Sequence, residues 1–304
     1  MQLSQPRADV RARLRLVSST GEQGGLLPPD HHVHTEWSWD APEGSMERTC
    51  LRAVELGLPS VAFTEHADLT PWTLPPGTQI PEGWEHLVDG NVFTPPSLDL
   101  DGYRQCLERC RDRFPGLRIY SGVELSEPHW HPARTGALLD RGGFERVLAS
   151  VHSARLQAGG SGFTEVSARY GDHAPAEVVR EYLAETLQLV QRFDDFEVLA
   201  HIDYPIRHWP TDEPPYDPRE FEEEHREILR ALAAANKVLE VNTRVPLHPS
   251  VLTWWRQEGG KAITFASDAH DPTSLAHGFT EAVKIAEAAD FRAGDDPLGF
   301  WILA

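Results

Sequence analysis

Short apolar runs of strand character alternate along this chain with stretches whose apolar positions recur at helical spacing. The runs are Asp30–His34, Val61–His66, Ile119–Glu124, Val147–His152, Val198–His201, Val238–Asn242 and Ile263–His270. Between them, Ser45 caps a helix predicted to run to about Gly57, with Met46, Cys50, Ala53, Val54 and Leu58 on its apolar side. A second covers 101–114, where Tyr103, Leu107, Cys110 and Phe114 share a face. Pro175 opens a third, with Val178, Tyr182, Leu183, Thr186, Leu189, Val190 and Phe193 in phase. Pro218–Asn236 makes a fourth, its acidic residues Glu220 to Glu224 lying where the helix dipole favours them, and Pro249–Gln257 and Glu281–Ala289 are shorter. Strands alternating with helices predict a largely parallel sheet, and the count of runs favours a seven-stranded β/α barrel over the usual eight. The tail Phe300–Leu303 reads as an extra strand or a packing anchor. Long Pro- and Gly-rich segments at 67–102 and 153–174 follow two of the strands and are expected to shape a site.

Each run ends in a side chain able to bind a metal ion. His32 and His34 alternate on an extended strand, so both rings project from one face. Asp40 follows in a loop with Trp37 and Trp39, and His66 closes the second run; Glu65 should face away from His66 and act behind the ligands or as a cap. Glu124 ends the third run, and a carboxylate in a barrel mouth needs a cation or a proton, so it can bridge two metals. His152 and His201 repeat the design, and Asp268 with His270 again places two ligands at alternating spacing. In a β/α barrel all strand C-termini point at one rim, so these groups are expected to converge on a multinuclear metal site suited to hydrolysis.

Composition narrows the partners. Twenty-eight basic against 47 acidic residues give a formal net charge of −19, a field that disfavours extended nucleic-acid or membrane-surface binding. Cys50, Cys106 and Cys110 lack the usual zinc spacing and read as small buried residues of a reducing compartment. Residues 1–25 show no periodicity and no apolar leader, and read as a flexible N-terminal arm before a single domain over 26–304; a cytoplasmic location is the expectation.

The chain resembles the polymerase-and-histidinol-phosphatase (PHP) superfamily. The matching elements, in order, are His32-Val33-His34-Thr35, Thr64-Glu65-His66, Gly122-Val123-Glu124, Ser150-Val151-His152, Ala200-His201 and Ser267-Asp268-Ala269-His270. The resemblance implies a distorted (β/α)7 TIM-like barrel with the metal site at the C-terminal ends of its strands. It implies three divalent ions (zinc, iron or manganese) held by His32, His34, Asp40, His66, Glu124, His152, His201, Asp268 and His270, with Glu124 bridging two of them. His201-Ile202-Asp203 and Leu239-Glu240-Val241-Asn242-Thr243 resemble the histidinol-phosphate phosphatases within it. Where that branch continues Ser-Gly-Leu-Arg, this chain reads Arg244-Val245-Pro246-Leu247-His248, with its arginine three positions early.

The implied reaction is hydrolysis of a small phosphate monoester, with L-histidinol phosphate as first choice. Asp268 and Glu124 are the expected catalytic groups, and Arg207, Arg244 and Arg155 the expected phosphate contacts. Trp37, Trp39, Trp72 and Trp209 are candidates for a pocket wall, and His173 for a substrate sensor. The rival readings are a phosphodiesterase or nucleotide phosphatase of the same superfamily, a non-catalytic metal-binding module, and an amidohydrolase-like enzyme.

Overall fold

The computed structural model describes residues 27–156 and 162–304; the expected arm at 1–25 lies outside the described residues. In chain order the strands are β1 (Asp30–Val33), β2 (Ser60–Asp68), β3 (Trp72–Thr73), β4 (Val88–Asp89), β5 (Val92–Phe93), β6 (Arg118–Ser126) and β7 (Arg146–Ser150). They continue with β8 (Ser153–Arg155), β9 (Phe163–Glu165), β10 (Val198–Leu199), β11 (Val238–Asn242), β12 (Ala262–Ala266), β13 (Phe291–Ala293) and β14 (Trp301–Leu303). The main sheet has nine strands in the order β1-β2-β6-β7-β10-β11-β12-β14-β13. From β1 to β12 every neighbour pairs in parallel, and the strands rise monotonically in sequence order. The sheet curls until its first strand meets its last parallel one: His34 N–H donates to the Ala269 carbonyl at 2.8 Å, and Asp268 N–H to the His32 carbonyl at 2.9 Å. The C-terminal ends of all seven parallel strands therefore share one rim.

One helix connects each successive pair. These are α1 (Met46–Leu56), α2 (Leu100–Arg113), α3 (Pro132–Gly142), α4 (Pro175–Arg192), α5 (Glu222–Ala234) and α6 (Pro249–Gln257), with α7 (Phe279–Ala288) after β12. Ser45 caps α1 as expected, and Gly57 ends it at φ 71°, a left-handed turn that glycine takes without steric cost. Met46, Thr49, Cys50 and Ala53 form its buried face, whereas Val54, assigned to that face from the sequence, is 46% exposed. Helix α3 was not expected: Gly136, Gly142 and a sparse set of apolar positions hide its period. The tail resolves in favour of a strand, β14, antiparallel to β12.

Both long segments contain structure of their own. The first holds a three-stranded sheet, β3-β5-β4, and the second the β8–β9 pair, in which Ser153 lies opposite Glu165. The first also leads into α2, where Trp37 fills the space a side chain at Gly102 would need: a Cβ there would sit 2.3 Å from the indole. The three cysteines are free and buried. Among the described residues no helix is long and apolar enough to cross a membrane.

Candidate metal centre

The strand ends deliver their side chains to one place. His32 Nε2 lies 3.0 Å from His34 Nε2 and 3.2 Å from Glu124 Oε2. Nδ1 of His66 stands 3.0 Å from the same oxygen. The other oxygen, Glu124 Oε1, lies 2.8 Å from His201 Nε2 and 3.3 Å from His152 Nε2, while those two nitrogens approach to 3.2 Å. Asp40 Oδ2 faces His270 Nε2 at 3.1 Å and His66 Nε2 at 3.4 Å, and Asp268 Oδ1 lies 3.3 Å from His34 Nε2. All nine residues singled out in the sequence thus gather at the rim. Glu124 is at the centre, one oxygen toward each of two groups of imidazoles. Asp268 adopts φ 54°, a left-handed conformation that aspartate tolerates better than most residues.

A second layer of buried groups sets the ring orientations. His32 Nδ1–H donates to Glu240 Oε2 at 2.7 Å, and Glu240 Oε1 accepts from the His201 N–H at 3.0 Å and the Asn242 amide at 2.8 Å. His34 Nδ1–H donates to the Ser38 hydroxyl, which in turn donates to Glu65 at 2.6 Å. His152 Nδ1 rests on Ser126 Oγ at 2.7 Å, and that hydroxyl donates to Asp68. His270 Nδ1–H donates to the Asp268 carbonyl at 2.9 Å. With Nδ1 occupied, the Nε2 lone pairs of all four rings are left to face the centre, as metal-ligating histidines require. Glu127 accepts from the backbone N–H groups of His152 and Ser153, at 2.5 and 2.8 Å, and so holds the turn after β7.

These donors fit divalent cations. Glu124 Oε2, His66 Nδ1 and Asp40 Oδ1 are buried and make no hydrogen bond; the first two are neighbours whose geometry is wrong for sharing a proton. Buried polar atoms are normally satisfied, and oxygen and imidazole lone pairs crowded together call for a positive ion. Overlapping triads within ligand reach include His34 with His66 and His270, His32 with His34 and Glu124, and Glu124 with His152 and His201. The electrostatics agree. Burial opposes charge on Glu124, yet the imidazoles of His32, His152 and His66 hold its carboxyl well below the usual range. Burial likewise opposes charge on Asp268, and Arg207 and His32 outweigh it. His34 is held well below its ordinary value by burial and by His66 and His270, whereas, against the cost of burial, neighbouring carboxylates raise His32, His66 and His152, placing on these rings the positive charge that a bound cation would replace.

The centre opens into a cleft of about 390 Å³. Arg207 pairs with Asp268 Oδ2, and its guanidinium lies 4.9 Å from the Tyr204 ring centre. Arg244 reaches His270 Nδ1 at 3.1 Å and the Asp268 carbonyl at 3.4 Å, so the early arginine of this chain still arrives at the rim. Arg155 does not line the cleft: it stacks on Trp130 and Phe163, 4.6 and 5.2 Å from their ring centres, and borders a neighbouring cavity. Trp39 and Trp72 form wall, joined by Trp84, whereas Trp37 packs against α2 and Trp209 against Tyr170 and Tyr216. His173 is paired with Arg169 and Asp172 and is absent from the lining. Sequence reasoning passed over Asp68, Glu165, Tyr204 and His208, all in the cleft lining, and gave Glu240 no role.

Comparison with known proteins bears on what such a site belongs to. The PHP domain model matches residues 30–244. A histidinol-phosphatase from Lactococcus lactis subsp. lactis (strain IL1403) is 29% identical over 249 residues, covering 79% of this chain and 83% of that protein. A Thermotoga maritima relative is 24% identical over 274 residues, covering 86% of this chain and 93% of its own length. The crystal structure of histidinol phosphate phosphatase from Lactococcus lactis subsp. lactis Il1403, complexed with zinc, L-histidinol and phosphate, superposes with a TM-score of 0.74 at 27% identity, over 91% of this chain and 99% of that one. Its α/β architecture and curled sheet match those described above. With the family model spanning most of the chain and every strand-end motif in its place at one rim, the protein belongs to the PHP domain family.

Proposed function

We propose that this protein hydrolyses a small phosphate monoester, L-histidinol phosphate, releasing L-histidinol and phosphate. The observation that carries the reading is Glu124, whose two oxygens face separate groups of imidazoles while Arg207 and Arg244 both reach Asp268 beside them. The choice of substrate draws on the Lactococcus lactis complex with L-histidinol and phosphate. Three divalent ions, zinc, iron or manganese, suit a set of nine ligands: His32, His34, Asp40, His66, Glu124, His152, His201, Asp268 and His270. The catalytic unit is a single domain over 26–304, a distorted (β/α)7 barrel; its support is the uninterrupted strand order and the meeting of β1 with residue 269.

Divalent ions held by these residues would supply Lewis acidity toward phosphoryl oxygen and toward water. The chain's own groups do the rest. Arg207 and Arg244 present planar N–H forks that match phosphoryl oxygens and fix the ester at the rim. Asp268 is held from one side by Arg207 and from the other by His34, so its carboxylate is positioned to accept a hydrogen bond from the attacking water and to orient it. Glu124 holds the two groups of imidazoles at a fixed separation. Trp39, Trp72 and Trp84 wall the cleft and exclude bulk water from the reacting centre.

The test is elemental analysis of protein purified without chelator, followed by a panel of phosphate esters assayed with added zinc or manganese. The expected result is turnover of L-histidinol phosphate with kcat/KM at least about tenfold above that for nucleoside monophosphates and diesters, about 1.4 kcal/mol of transition-state discrimination. Turnover of a nucleotide alongside failure on L-histidinol phosphate rejects the reading.

A further inference from the structure

We infer that Glu165 is a specificity-determining residue, its carboxylate serving as counter-ion to an ammonium group carried by the substrate next to its phosphate ester. The inference rests on the amino-alcohol phosphate reading above. Glu165 closes β9 and lines the cleft without belonging to the metal-ligand set. It is held there by neutral donors: the Tyr204 hydroxyl donates to Oε1 at 3.0 Å, and the Ser167 N–H and hydroxyl donate to Oε2, the N–H at 2.8 Å. Among the described residues no lysine, arginine or histidine pairs with it, whereas the other cleft acids all face cations or imidazoles: Asp40 faces His66 and His270, Asp68 faces His152, and Asp268 faces Arg207. Asp68 is also engaged by the Trp39 indole N–H at 2.6 Å and by Ser126, so it has little left for a ligand.

The spacing points to a particular substrate chemistry. Tyr204 lies between the two sites, with Arg207 over its ring at 4.9 Å and Glu165 at its hydroxyl. Phosphate-binding cation and unpaired carboxylate are thus one tyrosine ring apart. That separation suits a molecule whose amine and phosphate ester sit on neighbouring carbons. Beside Glu165, across the β8–β9 ladder, Ser153 accepts the Trp72 indole N–H at 2.8 Å, fixing an aromatic face next to the carboxylate. Trp39 stands 5.9 Å from Trp72 and 4.9 Å from Trp84, ring centre to ring centre. An aromatic wall beside an acid accepts a flat ring and a cation together, the cation gaining from both. Phosphate esters of neutral alcohols would leave Glu165 without a counter-ion.

The test compares wild type with Glu165→Gln, which keeps an acceptor for Tyr204 and removes the charge. The readout is the ratio of kcat/KM for L-histidinol phosphate to that for the same ester lacking the amino group. A hydrogen bond to a charged group supports a fall in that ratio of about 10- to 100-fold, carried by KM. Equal losses on both esters would make Glu165 a brace for Tyr204 and overturn the assignment. If wild type does not hydrolyse L-histidinol phosphate, the functional reading fails by itself. Glu165 is then judged by calorimetric binding of 2-aminoethyl phosphate and ethyl phosphate to the zinc-loaded proteins. Preference for the amine in wild type, lost in the variant, sustains the inference; equal affinities, or binding by neither, overturn it.

Discussion

Glu240 is buried on β11 and does not line the cleft, yet it should control metal affinity. Its Oε2 accepts from His32 Nδ1 at 2.7 Å, and its Oε1 from the His201 N–H at 3.0 Å and Asn242 at 2.8 Å. Glu240→Gln leaves shape and volume unchanged but replaces one acceptor oxygen with an NH2 group. If the amide oxygen faces His201 and Asn242, the NH2 confronts His32 Nδ1–H, and the ring can avoid the clash only by moving its proton to Nε2, where it blocks the metal. If the amide turns over, two buried donors lose their acceptor instead. Each buried unsatisfied donor costs about 1–3 kcal/mol, and lost outer partners of metal-ligating histidines typically cost about 10- to 100-fold in affinity. The expectation is therefore about 1.4–2.8 kcal/mol weaker binding of the ion that His32 helps to hold. Competitive titration against a chelator of known zinc affinity measures it directly, with thermal melting of the metal-free protein in parallel. An affinity unchanged within about threefold, together with a lower metal-free Tm, would assign Glu240 to folding alone and refute the reasoning.

Glu124→Gln should lose bound metal, read by elemental analysis, and nearly all turnover; full metal content and activity would count against a bridging role. Arg207→Ala should raise KM for phosphate esters by about 10-fold or more while metal content holds, since it removes a charged hydrogen-bond donor rather than a ligand. His225, buried on α5 with Nδ1–H donating to the Phe221 carbonyl at 2.9 Å, has its pKa lowered by burial. The unfolded chain takes up the proton near the ordinary value of about 6.5 and the folded chain resists it, so stability falls as pH drops below that value. The Tm difference between pH 7.5 and 5.5 should accordingly shrink in His225→Leu, and an unchanged difference would remove His225 as a contributor.

Eight of the nine candidate ligands were legible because they form a local pattern, a histidine or acid at the end of an apolar run, and a parallel sheet carries all such ends to one rim; Asp40 alone lies in a loop. No long-range information was needed to assemble them. Residues whose role depends on distant neighbours stayed hidden. Glu240 sits inside the strand Val238–Asn242, and nothing local distinguishes a strand acid that receives His32 and His201 from one that needs another partner. Glu165 and Tyr204 lie in segments without apolar period, and they meet only because β8 and β9 fold the second long segment back over the rim. Trp37 and Trp39 are two positions apart on one loop, yet one fills the space beside Gly102 and the other walls the cleft. Arg155 illustrates the converse: it was an expected phosphate contact, but β8 directs it to stack on Trp130 and Phe163.

The acidity of the molecule and the phosphate ester proposed as its substrate are reconciled by distance. A net charge of −19 repels an anion at long range, but at physiological ionic strength exposed charges beyond about 8 Å are largely screened. Inside a cleft of about 390 Å³ the nearest groups are screened least, and they outweigh the distant surface charge. There Arg207 and Arg244, with the cations the nine ligands would hold, reverse the sign that the surface presents. An ester that carries its own ammonium is repelled less on approach than a plain dianion, and it gains a second contact at Glu165 once inside. The same acidic surface that discourages nucleic acid and anionic metabolites therefore costs a zwitterionic substrate least, and selectivity begins before the substrate reaches the metal centre.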